Sequence, residues 1–124
     1  MGMSIGMGLA GYIPVTLYPR FDFLLLTTNQ LFNHLDNLIY FGGLRSRVII
    51  RVCVGTDAPL DPGNQHKQDY TAPFRSMAKE IDIVSLTKAA EVMPAYTEAL
   101  TRADGKSTVL IEYAKLYLND PNKN

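Results

Sequence analysis

The run Val48-Ile49-Ile50-Arg51-Val52-Cys53-Val54 constrains this chain more than any other stretch. A strand with one solvated face alternates apolar and polar side chains. A strand this uniformly apolar buries both faces, as the inner strands of parallel sheets do. Parallel strands need crossover connections, usually helical, and the helices cover the two faces. Residues 47–54 therefore predict a central strand in a mainly parallel sheet, and the rest of the sequence has to supply partner strands and covering helices.

It supplies them in alternation. "YIPVTLY" (12–18) is a strand with Pro14 near its start, where a missing N–H is tolerated. "IDIVSL" (81–86) is another, and "STVLIEYAKLY" opens with a last one. The clearest helix is 24–41, where Leu24, Leu31, Leu35 and Leu38 recur at helical spacing. Asp22 is placed to cap it and Gly42-Gly43 to stop it, with "PRFDF" as the preceding loop. A second long helix is predicted over 87–103, capped by Ser85 or Thr87, closed by Gly105 and carrying Pro94. "TAPFRSMAKE" gives a short helix. The small-residue segment 2–10 suits close packing on a neighbour, with Gly11 as its C-cap. This order predicts an α/β domain with three αβα layers and a sheet of about four strands. It covers residues 1–118, and 119–124 form a polar tail.

Composition narrows the function classes. Twelve basic side chains balance twelve acidic ones, so charge gives no footprint for nucleic acid or an anionic membrane. The single cysteine, Cys53, excludes an internal disulfide and points to a reducing, cytoplasmic compartment. The apolar N-terminus lacks a basic leader and an A-x-A-like cleavage site and is not read as a signal peptide. No metal-ligand spacing, P-loop or nucleophile elbow is present. "GMGLAG" (6–11) fits G-x-G-x-x-G but precedes a strand rather than following one, which is the wrong order for a phosphate-binding turn.

Two histidines are left. His34 falls inside the predicted helix and reads as a partly buried helix residue. His66 lies in "GNQHKQDY", within the long loop 55–69 that follows the central strand. Ligands in parallel sheets bind at the carboxyl ends of strands. His66 is either a solvated loop residue or a hydrogen-bond donor and proton relay working near neutral pH.

Four colinear blocks, "FDFLLLTTNQLFNHLDNLIYFGG", "VIIRVCVGTDAPLDPGNQHKQ", "IDIVSLTKAAEVMPAYTEAL" and "VLIEYAKLY", resemble one family. It is the pyrimidine-binding domain of thiamine diphosphate enzymes of the transketolase group. The likeness is greatest to the β subunits of 2-oxo acid dehydrogenase decarboxylating components. The matching features are Ala10-Gly11 before a strand, the Phe-x-Phe turn (Phe21, Phe23), "NQLFNHLDN", the strand arginine Arg51, Gln65-His66-Lys67-Gln68, and the closing "IEYAKLY". The resemblance implies that His66 faces the reacting carbon as a catalytic residue and that Phe21 and Phe23 lie near the cofactor's aminopyrimidine. It implies thiamine diphosphate with Mg²⁺ as cofactor, shared with a partner chain that carries the diphosphate-binding domain.

The same comparison places the family's glutamate, first strand and first helix before Met1, and no glutamate precedes Glu80. Asp104-Gly105 matches only a fragment of the diphosphate motif. The chain is thus expected to be part of such an enzyme, a homo-oligomer, and inactive alone. The alternative is a non-catalytic oligomerisation or regulatory module, or a truncated gene product, that retains the fold.

Overall fold

The computed structural model describes residues 1–58 and 60–117, so the predicted polar tail lies outside the described residues. Four strands form one sheet: β1 (Val15–Tyr18), β2 (Ile49–Val54), β3 (Asp82–Leu86) and β4 (Thr108–Tyr113). Their spatial order is β1-β2-β4-β3, and every pair is parallel. Ile49 lies opposite both Val15 and Thr108, and Asp82 is opposite Thr108. The expected αβα architecture with a four-stranded parallel sheet is what the chain adopts. Ile49, Ile50, Val52, Val109, Leu110 and Ile111 are all fully buried, so the two central strands bury both faces.

The helices divide unequally. On one face lie α1 (Gly2–Leu9), the long helical segment that begins as α2 (Phe21–Leu24), and α3 (Thr71–Met77). Their apolar side chains pack with Val48, Ile50, Val52, Val54, Val109 and Ile111. Among the described residues the other face receives only α4 (Ala89–Thr101), which packs on Ile49, Leu86 and Leu110 through Ala99, Val92, Ala95 and Tyr96. Chain direction explains the split. The β1→β2 and β2→β3 connections move the same way across the sheet, whereas β3→β4 moves back. Right-handed crossovers then place the third connection on the opposite face.

The segment predicted as one α-helix over 24–41 differs in two respects. It begins earlier, at Phe21, within the stretch expected to be a loop. After Leu24 it passes through a 3₁₀ turn (Leu25–Thr27), a π turn (Asn29–His34) and a further 3₁₀ stretch (Leu35–Tyr40). Side chains that compete for backbone carbonyls account for this. The Thr27 and Thr28 hydroxyls donate to the carbonyls of Leu24 (2.9 Å) and Leu25 (3.0 Å), and Asn37 Nδ2 donates to that of Phe32 (2.9 Å). Gly42 and Gly43, both at positive φ, end the segment as expected. His34 is exposed rather than partly buried.

Neither Ser85 nor Thr87 caps α4. Its N-cap is Lys88, and the Glu91 carboxylate accepts the backbone N–H groups of Thr87 (2.8 Å) and Lys88 (3.1 Å). In α1, Gly8 packs so closely on the chain that a Cβ there would sit 2.1 Å from Ser46 Oγ, and Ser46 Oγ itself donates to the Ile5 carbonyl at 2.9 Å. No helix among the described residues is long and apolar enough to cross a membrane.

A buried carboxylate joins the long helical segment to the approach of β3. Asp36 is 2% exposed and accepts the backbone N–H groups of Lys79 (3.0 Å), Glu80 (2.8 Å) and Ile81 (2.8 Å). Removing it strands three donors beside the core. We expect Asp36→Ala to lower unfolding stability by about 3 kcal/mol, read by urea denaturation. Unchanged stability would show that water serves those amides equally well.

Candidate functional site

Because all four strands run the same way, their carboxyl ends share one edge of the sheet. The β1 end leads into α2, and the β2 end leads through Gly55 into the long loop. These two connections bring Phe23 and His66 together, with ring centroids 5.2 Å apart and planes tilted by 45°. Phe23 is 40% exposed, so the pair has an open side. His66 Nδ1 is buried and has no hydrogen-bond partner among the described residues, so any contact with a bound molecule falls to the other ring nitrogen.

Phe21 is placed differently. It is fully buried and packs edge-on against Phe74 (4.9 Å) and Tyr70 (5.6 Å). It braces the first turn of α2 from beneath while Phe23 faces outward. Between them, Asp22 accepts a hydrogen bond from the Tyr70 hydroxyl at 3.3 Å, and its second carboxylate oxygen is buried without a partner among the described residues. Burial, followed by the neighbouring Asp22 charge, pushes the Tyr70 phenol above its ordinary range.

The loop holding His66 is tied to itself. Lys67 Nζ pairs with Asp57 and, at 3.0 Å, with Asp61, and Asp61 accepts the Gly63 N–H at 2.9 Å. A short 3₁₀ turn (Asn64–His66) carries the histidine. The loop also sits directly on the end of β2, because a Cβ on Gly55 would lie 2.3 Å from the His66 carbonyl oxygen.

A second cluster lies at the same edge on the α4 face. Arg51 of β2 donates Nε and Nη2 to the Glu112 carboxylate of β4 at 2.8–3.0 Å. The Tyr96 hydroxyl donates to Glu112 Oε1 at 2.7 Å, and the Tyr117 hydroxyl donates to Oε2. Burial raises the Glu112 carboxyl, but the bonds from Arg51, Tyr117 and Tyr96 outweigh it and hold the group below the ordinary glutamate range. The Tyr96 and Tyr117 phenols are pushed above theirs, by burial first and then by Glu112. This cluster borders a pocket of about 470 Å³. Sequence reasoning singled out Arg51 alone. A charged residue alone in each of two apolar strands, Arg51 and Glu112, is the signal that pairs them.

The fit to thiamine diphosphate is confined to one end of the cofactor. Phe23 and His66 offer an aromatic wall and a hydrogen-bonding imidazole, which suit an aminopyrimidine or a reacting carbonyl. The diphosphate and Mg²⁺ find no comparable set. Asp104 is engaged by Arg102 at 2.6 Å and by the Lys106 N–H at 3.1 Å, and the described residues contain no cluster of three acidic, histidine or cysteine side chains able to hold a metal.

Two measurements check these geometries. Gly55→Ala has to push the His66 backbone away, because the obstacle is main chain. We expect a loss of about 1–3 kcal/mol in stability and a shifted His66 ring resonance by NMR. An unmoved resonance would mean that the loop is not seated on β2. The Glu112 pKa is depressed in the folded state, so its contribution is complete above the unfolded value of 4.5 and is lost as pH falls through the folded value. Stability measured from pH 6 to 2 should fall more steeply in the wild type than in Glu112→Gln, and parallel curves would contradict the assignment. No protein-family model and no curated protein matches this chain, so its site is read from its own geometry.

Proposed function

We propose that this chain is a component of a thiamine diphosphate-dependent 2-oxo acid dehydrogenase or transketolase-like enzyme. It contributes part of the aminopyrimidine and substrate side of the active site. The observation that carries the reading is the contact between Phe23 and His66 at the carboxyl edge of a parallel sheet. When bound, thiamine diphosphate supplies a nucleophilic carbon for a 2-oxo acid or ketose carbonyl. Around it, Phe23 forms an apolar wall that excludes water on one side. His66, held by its loop against β2, offers a hydrogen bond to an oxygen at the reacting centre. Lys67, paired with Asp57 and Asp61, keeps the loop closed behind the histidine. Mg²⁺ and the diphosphate contacts come from a partner chain, and the isolated chain is inactive.

A second reading, a non-catalytic oligomerisation module that keeps the fold, has its own support. The β1 side chains Val15 and Leu17 are both more than half exposed on the α4 side of the sheet, at the β1 edge that α4 does not cover. Exposed apolar surface beside an open strand edge favours association.

The test is reconstitution with the diphosphate-binding subunit of a 2-oxo acid dehydrogenase decarboxylating component. Assembly is followed by light scattering, and thiamine diphosphate with Mg²⁺ is titrated calorimetrically. We expect the chain alone to run as a dimer or larger and to bind the cofactor with a Kd above about 1 mM. The mixture should bind in the micromolar range, about tenfold or more weakened by His66→Ala or Phe23→Ala. A mixture that binds no better than the added subunit alone would overturn the enzyme reading. Self-association with no dependence on the partner would favour the second.

A further inference from the structure

The pocket on the α4 face belongs to neither reading. It lies across the sheet from Phe23, since α2 packs on the face of Val52 and Val54 whereas Arg51 and Glu112 point the other way. Topology accounts for its place. The connection leaving β2 goes to one face and the connection leaving β3 goes to the other. A crevice opens between them outside the carboxyl end of β4, the position where open α/β sheets bind small molecules. At about 470 Å³ it is the size of a small-molecule site.

Its chemistry defines an occupant. The wall is largely apolar, built from Leu86, Val92, Leu116 and the rings of Tyr113 and Tyr117. Its charges are Arg51, Glu112 and Lys88. Glu112 is 7% exposed, and both its oxygens are saturated by Arg51, Tyr96 and Tyr117, so it offers no acceptor to a ligand. Arg51 Nη1 is not used in that bridge and has no partner among the described residues, and Lys88 makes no ion pair among them. With Arg51 and Glu112 cancelling, the remaining charge among the lining side chains is Lys88, which is exposed at the rim with the Glu91 carboxylate nearby. A monoanion neutralises Lys88. A phosphate dianion would bring excess charge to a mostly apolar wall, and a neutral ligand would forgo the contact with Lys88 and Arg51 Nη1.

We infer that this pocket binds a small aromatic or aliphatic monocarboxylate, with its apolar body between α4 and Tyr117 and its carboxylate on Lys88 and Arg51 Nη1. Glu112 then acts as a positioning residue. It fixes the guanidinium plane so that the remaining donors face the cavity. The site is independent of the thiamine diphosphate reading and stands or falls without it.

The experiment is calorimetric and ligand-observed NMR titration of the full chain with 3-phenylpropionate, with the neutral 3-phenylpropionamide as control. We expect saturable binding of the acid below about 1 mM and about tenfold weaker binding of the amide. Lys88→Met, at an exposed position, should reduce acid binding about tenfold and leave the amide unchanged. Val92→Trp should fill the cavity and abolish both. Circular dichroism verifies that each variant is folded. Equal affinity for acid and amide, no saturation by either, or an unaffected Lys88→Met variant would overturn the proposal. So would loss of binding in Phe23→Ala, which would place the ligand on the other face.

Discussion

The molecule is organised by where β4 inserts. Parallel strands cannot be joined by hairpins, and each crossover has one permitted hand. Once β4 pairs between β2 and β3, the last crossover must travel backwards, and α4 is sent alone to the face that the other helices do not occupy. Much of the rest follows from that step. The front of the sheet acquires a deep core under three helical elements, with Phe21, Phe32 and Phe74 in edge-on contact. The back acquires one helix, a smaller core and an open crevice. All four carboxyl ends lie on a common edge, so the Phe23–His66 pair and the Arg51–Glu112 cluster are neighbours along that edge yet face opposite sides.

Two buried carboxylates do different work in this frame. Asp36 answers backbone amides only, so it fixes a joint between helix and strand without involving another side chain. Glu112 gathers an arginine and two phenols from β2, α4 and the segment after β4. Each gives up hydration, and each is fully hydrogen-bonded, the condition under which a buried charge can be tolerated. An apolar substitute at either place would pack but would no longer select one arrangement of the surrounding elements.

The sequence was most legible where structure is local. The apolar run 48–54 announced a doubly buried strand, and the glycines at 11, 42 and 43 marked ends that do adopt positive φ, whereas α4 closes at Arg102, short of Gly105. The existence of the long helix was legible but its winding was not. Leucine spacing reports a face, whereas the hydroxyls of Thr27 and Thr28 and the amide of Asn37 decide which carbonyl each turn uses. The start of α4 was misplaced for a similar reason, since its cap is supplied by Glu91 reaching back rather than by a hydroxyl before the helix. The meeting of Phe23 with His66 leaves no local pattern in the chain. The burial of Phe21, two residues away, depends on Tyr70 and Phe74, whose positions no local pattern gives. Glu112, Tyr96 and Tyr117 went unnoticed because a shared carboxylate leaves no spacing rule in the chain.

The register of the central pair bears on how the protein is made. Ile49 lies opposite Thr108, so the two strands at the middle of the sheet are separated by nearly half the chain. While the polypeptide emerges from a ribosome, β1 and β2 can pair early, but β3 has no neighbour until β4 arrives to sit between them. Sheet closure therefore waits until β4 has been made. Until then the apolar edge of β2 is open to whatever strand comes first, and high contact order of this kind slows folding. A ribosome that stalls before residue 108 leaves β3 without a strand partner, tied to the rest through Asp36 and the core contacts of Phe74 and Ile81.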